Sequence, residues 1–354
     1  MRNEQMKKFF SLLLAVLLVA SLAACGGGSG SEGGSNAPAD SGTSAPADTG
    51  SGSKAEAVDT NTVAVGAVVI ARDDVSEDDV YKFVSTIFEN TDAITEQHAK
   101  GGELDLAFAS SVTSVPYHPG AAKYFQEKGI EVAAVKEGAG AGESKALTFT
   151  TGGETGTYYA FGGVLASYVS NNGGVNVTAV VGNGSQSNVE DLTAGDVQLG
   201  FVQSDVMSYA YNGERLFDSP VTNFSVVAAL YMEQVQIATT NPDIKSVADL
   251  EGKIVSIGAS GSGVYFNAID VLGAYGLTEE DIQPVFQSFG DSADNLKDGK
   301  IDAAFIVAGA PTPAISDLAL SKPTYLVGLD EEHTNSLLES SPFYSAYTIP
   351  AGTY

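Results

Sequence analysis

Residues 147–159, LTFTTGGETGTYY, pass from an apolar strand through a glycine-rich turn into the start of a helix. The chain repeats this unit: 176–181 lead into the turn 182–185, and 253–257 lead into 258–263. Alternating strands and helices predict an α/β fold with parallel sheets. In such folds ligands bind in the crevice at the carboxyl ends of the strands, where these turns lie.

Two of the turns resemble each other. Residues 155–159 read TGTYY and residues 262–266 read SGVYF, and each stretch opens a helix. The likeness favours two equivalent lobes that face each other, although five residues can also match by chance.

The turns supply the candidate ligand-binding residues. The first N–H groups of a helix lack partners within the helix, and its N-terminus carries partial positive charge, so these turns suit a carboxylate or a phosphate. The alternative is that the hydroxyls and amides only cap helices. The candidates are Thr155, Thr157, Tyr158, Ser185, Asn188, Gln203, Ser204, Ser260, Ser262, Gly263, Tyr265 and Gly309.

Composition excludes several classes of partner. The 354 residues include 17 Lys and Arg against 44 Asp and Glu, for a net charge of −27, so nucleic acid and anionic membrane surfaces are not expected to bind. With 44% hydrophobic residues, the chain has enough apolar material for two ordinary domains.

The N-terminus has the layout of a secretory signal over residues 1–24, with Arg2, Lys7 and Lys8 before an apolar run. The run Leu22-Ala23-Ala24-Cys25 resembles the lipobox of bacterial lipoproteins, which implies lipidation of Cys25. Residues 25–54, rich in Gly, Ser, Ala and Pro, are expected to form a flexible tether. The alternative is an N-terminal membrane helix with an incidental cysteine.

Enzyme chemistry is not expected. The histidines His98, His118 and His333 all lie outside the Gly/Ser turns, and the sequence contains neither a P-loop nor metal-ligand spacing, so no cofactor or metal is predicted. A secreted hydrolase that uses Ser260 or Ser262 is the alternative from the enzyme class.

Taken together, the motifs resemble those of the TAXI family of TRAP-transporter solute receptors. The matching stretches are Gly152-Gly153 with 156–159, Gly184-Ser185 with Asn188, 202–205, 249–253, 261–263, Asp298-Gly299 with 301–303, and Gly309 with Pro311.

The resemblance implies a type II periplasmic-binding-protein-like fold, in which two parallel-rich sheets flanked by helices form two lobes joined by crossing hinge strands. On this basis the hinge strands are 62–71 and 235–240, lobe one is 72–234, and lobe two is 241–354. The segment order departs from the family: 62–130 resembles the family's C-terminal segment but comes first, which suggests a circular permutation with 131–146 as the joining linker. A truncated or misassembled chain is the alternative. His118 is then a structural residue.

The implied function is that of a monomeric receptor, lipid-anchored on the extracytoplasmic face of the cell membrane. It would bind a small organic acid, a dicarboxylate or acidic amino acid, and deliver it to a TRAP-type membrane permease. Hydroxyls and helix N–H groups would hold the charge, and Tyr158 or Tyr265 would pack on the carbon skeleton. A sensor lipoprotein of the same fold that signals to a membrane kinase is the alternative.

Overall fold

A computed structural model describes residues 58–354. The expected signal segment 1–24, the lipidation site Cys25 and the tether 25–54 lie outside the described residues.

Strands and helices alternate along most of the described chain. The strands are β1 (Thr60–Arg72), β2 (Leu147–Thr150), β3 (Val177–Val180), β4 (Leu199–Gln203), β5 (Phe224–Thr239), β6 (Ile254–Ser256), β7 (Gln283–Val285), β8 (Ala303–Ala308), β9 (Tyr325–Leu326) and β10 (Ser345–Ile349). The helices are α1 (Glu77–Phe88), α2 (Thr91–Thr95), α3 (Leu106–Ala109), α4 (Pro119–Glu127), α5 (Thr157–Asn172), α6 (Ser185–Ala194), α7 (Ser204–Asn212), α8 (Val264–Ala274), α9 (Phe289–Lys297), α10 (Pro313–Ser321) and α11 (Glu331–Ser340). Short 3₁₀ helices cover Ala99–Glu103, Val247–Leu250 and Glu279–Asp281.

Two long antiparallel strands, β1 and β5, run through both halves of the fold. Their β-branched and small apolar residues suit a strand buried on both faces, and nearly every side chain in both is buried. The strand predicted at 62–71 is observed as β1. The strand predicted at 235–240 is only the second part of β5, which begins at Phe224 because its first part pairs with β1, where Phe224 lies opposite Arg72.

The sheet is mixed and continuous, in the order β3-β2-β4-β1-β5-β8-β6-β7, with β10 paired to β1 and β9 to β5. Strands β3, β2 and β4 are mutually parallel in one half, as are β7, β6 and β8 in the other. The predicted α/β class is confirmed. The two expected sheets are one sheet, because β1 and β5 belong to both halves.

Each half has its own hydrophobic core. In the first half, which holds β2–β4 and α1–α7, aromatic rings stack between sheet and helices: the Phe149 and Phe201 centroids are 5.0 Å apart, and those of Tyr158 and Phe201 are 4.5 Å apart. The second half packs α8–α11 on β6–β10 around aliphatic residues such as Val255 and Leu272. The described residues 58–354 nevertheless form one compact unit, so the lobe boundaries at 72–234 and 241–354 stay a prediction.

Residues 131–146 contain no helix or strand, but they are bonded to the first half. The Ser144 hydroxyl donates to Asp79 over 2.5 Å, and the Lys136 ammonium donates to the carbonyl of Thr222 over 2.6 Å. The segment predicted as a joining linker is therefore bonded to the first half at several points.

His118 lies fully buried at the start of α4. Its Nδ1 accepts from the Gly120 N–H over 3.2 Å, its Nε2 lies 3.1 Å from the Val75 carbonyl oxygen, and burial lowers its pKa to about 4. These contacts all lie within the core, which is consistent with the predicted structural role.

The first and last described strands are neighbours. In the β1–β10 pair Asn61 lies opposite Thr348, and the Thr348 hydroxyl donates to the Asn61 side chain over 2.9 Å. Such adjacency is what a circular permutation requires. The permutation itself remains a hypothesis.

Candidate functional site

A cavity of about 90 Å³ lies between the two halves, where the carboxyl ends of strands from both sides meet. Its volume suits a small molecule. Its lining is contributed by Gly152, Gly153, Thr155, Gly156, Thr157, Tyr158, Gly182, Asn183, Gly184, Ser185, Gln203, Glu233, Ala259, Ser262, Gly263, Val264, Ser288, Phe289, Val307 and Ala308.

Seven of the twelve predicted ligand-binding residues line this cavity: Thr155, Thr157, Tyr158, Ser185, Gln203, Ser262 and Gly263. They come from both halves, as the likeness between the turns at 155–159 and 262–266 suggested. Direct contact between these residues and a ligand stays a prediction.

The five others lie outside this lining. The Asn188 side chain is fully buried and donates to the carbonyls of Thr151 and Phe201. The Ser204 hydroxyl accepts from the N–H of Gly66 over 3.0 Å, and the Tyr265 hydroxyl donates to Glu279 over 3.0 Å.

Ser260 and Gly309 are also outside the lining. Ser260 is exposed on the turn before α8. The Gly309 carbonyl accepts from the Thr157 hydroxyl over 2.9 Å, a contact between the two halves.

Four helices begin at the cavity wall, and their N-cap residues are Gly156 for α5, Gly184 for α6, Gln203 for α7 and Gly263 for α8. None of these four N-caps makes a side-chain capping hydrogen bond. Most first-turn N–H groups of α5, α6 and α8 therefore keep their hydrogen-bonding capacity. The exceptions include Ser187 in α6, which donates to the Gly261 carbonyl, and in α7 the N–H groups of Asp205 and Val206 bond to the Asp205 carboxylate. Four helix dipoles place partial positive charge around one small space. This arrangement favours an anion.

Two buried polar atoms in the wall have no hydrogen-bond partner among the described residues. They are the hydroxyl of Ser262, which is 7% exposed, and the Oε1 of Gln203, which is 2% exposed. Buried polar groups in native proteins are nearly always paired, so these two atoms can each take a hydrogen bond from or to a group that enters the cavity.

Glu233 is a cavity residue that the sequence analysis missed. It lies in β5, is 2% exposed, and its Oε2 accepts from the Tyr158 hydroxyl over 2.6 Å. Burial raises the pKa of Glu233 to about 8, and burial followed by the charge of Glu233 raises that of Tyr158 well above its usual value. The available signal was a single acidic residue inside an otherwise uncharged strand.

A model of the NMT1-like family matches residues 36–129 and 149–354. The chain belongs to the NMT1-like family. The unmatched stretch between the two segments, 130–148, includes the predicted linker 131–146.

Solved structures of solute-binding proteins resemble this NMT1-like chain at low identity. The alkanesulfonate-binding protein of Xanthomonas axonopodis pv. citri bound to MOPS is 21% identical (TM-score 0.37; 53% of this chain and 62% of that one are covered). The aliphatic sulphonate-binding protein of Escherichia coli is 20% identical (TM-score 0.34; 52% and 60%), and a putative L-cystine ABC transporter protein of Listeria monocytogenes is 18% identical (TM-score 0.37; 55% and 89%). This chain spans less than two thirds of the length of either sulfonate-binding protein. At these TM-scores none of the three bears on the ligand.

The halves of the NMT1-like protein are bonded to each other beside the cavity. Asn267 of α8 accepts from the Gln203 amide over 3.0 Å and donates to the Asp205 carboxylate over 2.9 Å. Farther out, the N–H of Ser187 donates to the carbonyl of Gly261 over 2.9 Å. The sequence analysis also missed Asn267, which is fully buried in the middle of a helix rather than in a turn.

Within residues 58–354 there is no group of three or more His, Cys, Asp or Glu side chains that could hold a metal ion. Over the same residues, none of the helices combines the length and the apolar character needed to cross a membrane.

Proposed function

We propose that this chain is an extracytoplasmic solute-binding receptor that binds a small organic acid between its two halves. The convergence of four uncapped helix starts on one cavity carries the proposal. Directional N–H groups and the Ser262 hydroxyl hold carboxylates without an arginine or lysine. No arginine or lysine is among the residues that line the cavity.

The finer assignments rest on the sequence. The motifs shared with the TAXI receptors favour a TRAP-type permease as the partner, and the Cys25 motif favours a lipoprotein anchored on the extracytoplasmic face of the membrane. The receptor is proposed to be a monomer. Small acids with one or two carboxylates, including acidic amino acids, are the proposed ligand class.

The test is thermal unfolding of the full chain in detergent with succinate, L-malate, L-glutamate, L-aspartate and ethanesulfonate. A ligand present at 100 times its Kd stabilises the folded state by about 2.7 kcal/mol, so at least one acid should raise Tm in a concentration-dependent manner. If none does so, the proposed function fails.

Two serines of the same turn provide a matched pair for the site. Ser262→Ala removes a buried hydroxyl from the cavity wall, and Ser260→Ala removes an exposed one two residues away. By calorimetry, Ser262→Ala should weaken binding by about 1 to 3 kcal/mol, while Ser260→Ala leaves it unchanged. Equal effects of the two variants would contradict the placement of the site.

A further inference from the structure

Among the described residues that line the cavity, Glu233 has the only charged side chain. It lies where β5 passes from one half to the other, opposite Val65 of β1. Four helix starts surround the same space with partial positive charge, so an acidic side chain is unexpected there unless it takes part in binding.

The surroundings of Glu233 do not neutralise an ionised carboxylate. The titratable and charged groups that act on it are Tyr158 of α5, Tyr231 of β5, Asp205 of α7 and Lys100 of the 3₁₀ helix Ala99–Glu103. Burial raises the pKa of Glu233 most, and the positive charge of Lys100 lowers it only in part. The Lys100 ammonium is paired with Glu103 at 2.5 Å, and no described cation forms a salt bridge with Glu233. Asp205, itself buried, adds negative charge.

A buried carboxylate without a cation is costly, so the neutral acid is the favoured form. The hydrogen bond from Tyr158 is compatible with it, because the carbonyl oxygen of a carboxylic acid accepts while its hydroxyl remains free to donate. Burial raises the pKa of Glu233 to about 8, in agreement with this geometry.

We propose that Glu233 binds the ligand as a neutral carboxylic acid, which accepts from Tyr158 and donates its own O–H to an ionised group of the ligand. This rests on the proposed function, since it takes the ligand to be an anion held at the helix starts. The ligand class that follows is a dicarboxylate, with one carboxylate on the helix N–H groups and the other on the proton of Glu233.

The protonation state of Glu233 determines how ligand affinity depends on pH. Below about pH 8 Glu233 keeps its proton, and the affinity is constant down to the pH at which the dicarboxylate itself takes up a proton. Above that pH the ionised side chain repels the ligand, and the affinity falls by up to about tenfold per pH unit.

The experiment is calorimetric titration of the full chain with succinate from pH 6 to pH 9.5. Glu233→Gln keeps both a donor and an acceptor, so its affinity at pH 7 should stay within about threefold of the wild type, and its loss of affinity above pH 8 should disappear. Glu154→Gln, at an exposed position in the turn before α5, is the control and should follow the wild type.

An ionised Glu233 that accepts from a cationic group of the ligand would give the opposite pattern. Glu233→Gln would then bind the ligand more than tenfold more weakly at pH 7, and the wild type would not weaken above pH 8. That result overturns the proposal.

A second measurement needs no ligand. The infrared difference spectrum between the wild type and Glu233→Gln at pH 6.5 should contain the C=O band of a protonated carboxyl, and this band should vanish above pH 9. Absence of the band overturns the proposal even if succinate binds. If the band is present but none of the acids binds, the proposed function and the ligand-binding role of Glu233 both fail, and only the protonation of the side chain stands.

Discussion

Glu233 links the stability of the fold to pH through a single side chain. Its pKa is about 8 in the folded protein against an ordinary 4.5, so between these values the folded state holds a proton that the unfolded state releases. The free energy of unfolding therefore falls as pH rises through this window, by up to about 5 kcal/mol from this group, and stays low above it.

Urea unfolding of the wild type and Glu233→Gln at pH 5 and pH 8.5 measures this contribution. The glutamine does not titrate, so relative to the wild type the variant should gain stability between the two pH values. A stability difference that is the same at both pH values would show that Glu233 does not hold a raised pKa.

At this scale the sequence predicts part of the site. Glycine and hydroxyl residues after strands mark turns at helix starts, and this local chemistry located Ser185 and Ser262 at the cavity. The same residue types also satisfy backbone groups elsewhere, as Asn188 and Ser204 do, and only the three-dimensional contacts separate the two uses. Glu233 and Asn267 lie within regular elements, where turn chemistry provides no signal.

The start of α6 depends on a glycine. Gly184 has φ 110°, a conformation that residues with a side chain rarely adopt, and a Cβ placed there would lie 3.1 Å from the Cα of Ser262 in the other half. Gly184→Ala should therefore lower both Tm and ligand affinity, the affinity by about tenfold or more, as measured by thermal unfolding and calorimetry.

Substitutions at two other glycines distinguish the effect of backbone strain from that of a steric clash. Gly174 also has a positive φ, of 69°, but a Cβ there would meet nothing within 4 Å, so Gly174→Ala should lower Tm alone. Gly153 lines the cavity with open space around it, and Gly153→Ala should leave Tm unchanged. Equal loss of affinity in Gly174→Ala and Gly184→Ala would contradict a specific role for the start of α6.

Elements with a strong local hydrophobic pattern can be predicted from the sequence. Features that depend on contacts with residues far away in the sequence cannot. The β-branched run at 62–71 indicates β1 by itself. The early start of β5 and the bonding of 131–146 depend on partners far away in sequence, such as β1 and Asp79. Composition alone gives no information on such contacts.

The closed arrangement of the two halves depends on Asn267. Replacing it with alanine removes partners from the buried Asp205 carboxylate and from the Gln203 amide, without changing the residues that line the cavity. Asn267→Ala should therefore favour an open form, weaken ligand binding by about tenfold or more, and increase the radius of gyration of the ligand-free protein in small-angle X-ray scattering.

Asn212→Ala is the control, because Asn212 is exposed and its side chain bonds only within α7. It should match the wild type in both measurements. An unchanged radius and affinity in Asn267→Ala would show that the contacts with Asp205 and Gln203 do not hold the halves together.

For the whole molecule, the likeness of two turns predicted two facing parts, and the cavity between the halves agrees with it. The sequence has no comparable signal for the side-chain contacts that join the halves, since residues such as Asp205 and Asn267 are 62 positions apart.

The position of Glu233 on the strand that crosses between the halves has a further consequence. Because Glu233 lines the cavity between the halves, we expect separation of the halves to admit water to its carboxyl and to make ionisation easier. Protonation of Glu233 and closure of the two halves are then coupled: low pH favours the closed form, and high pH favours the open form. The fraction of closed protein would therefore depend on pH even in the absence of ligand.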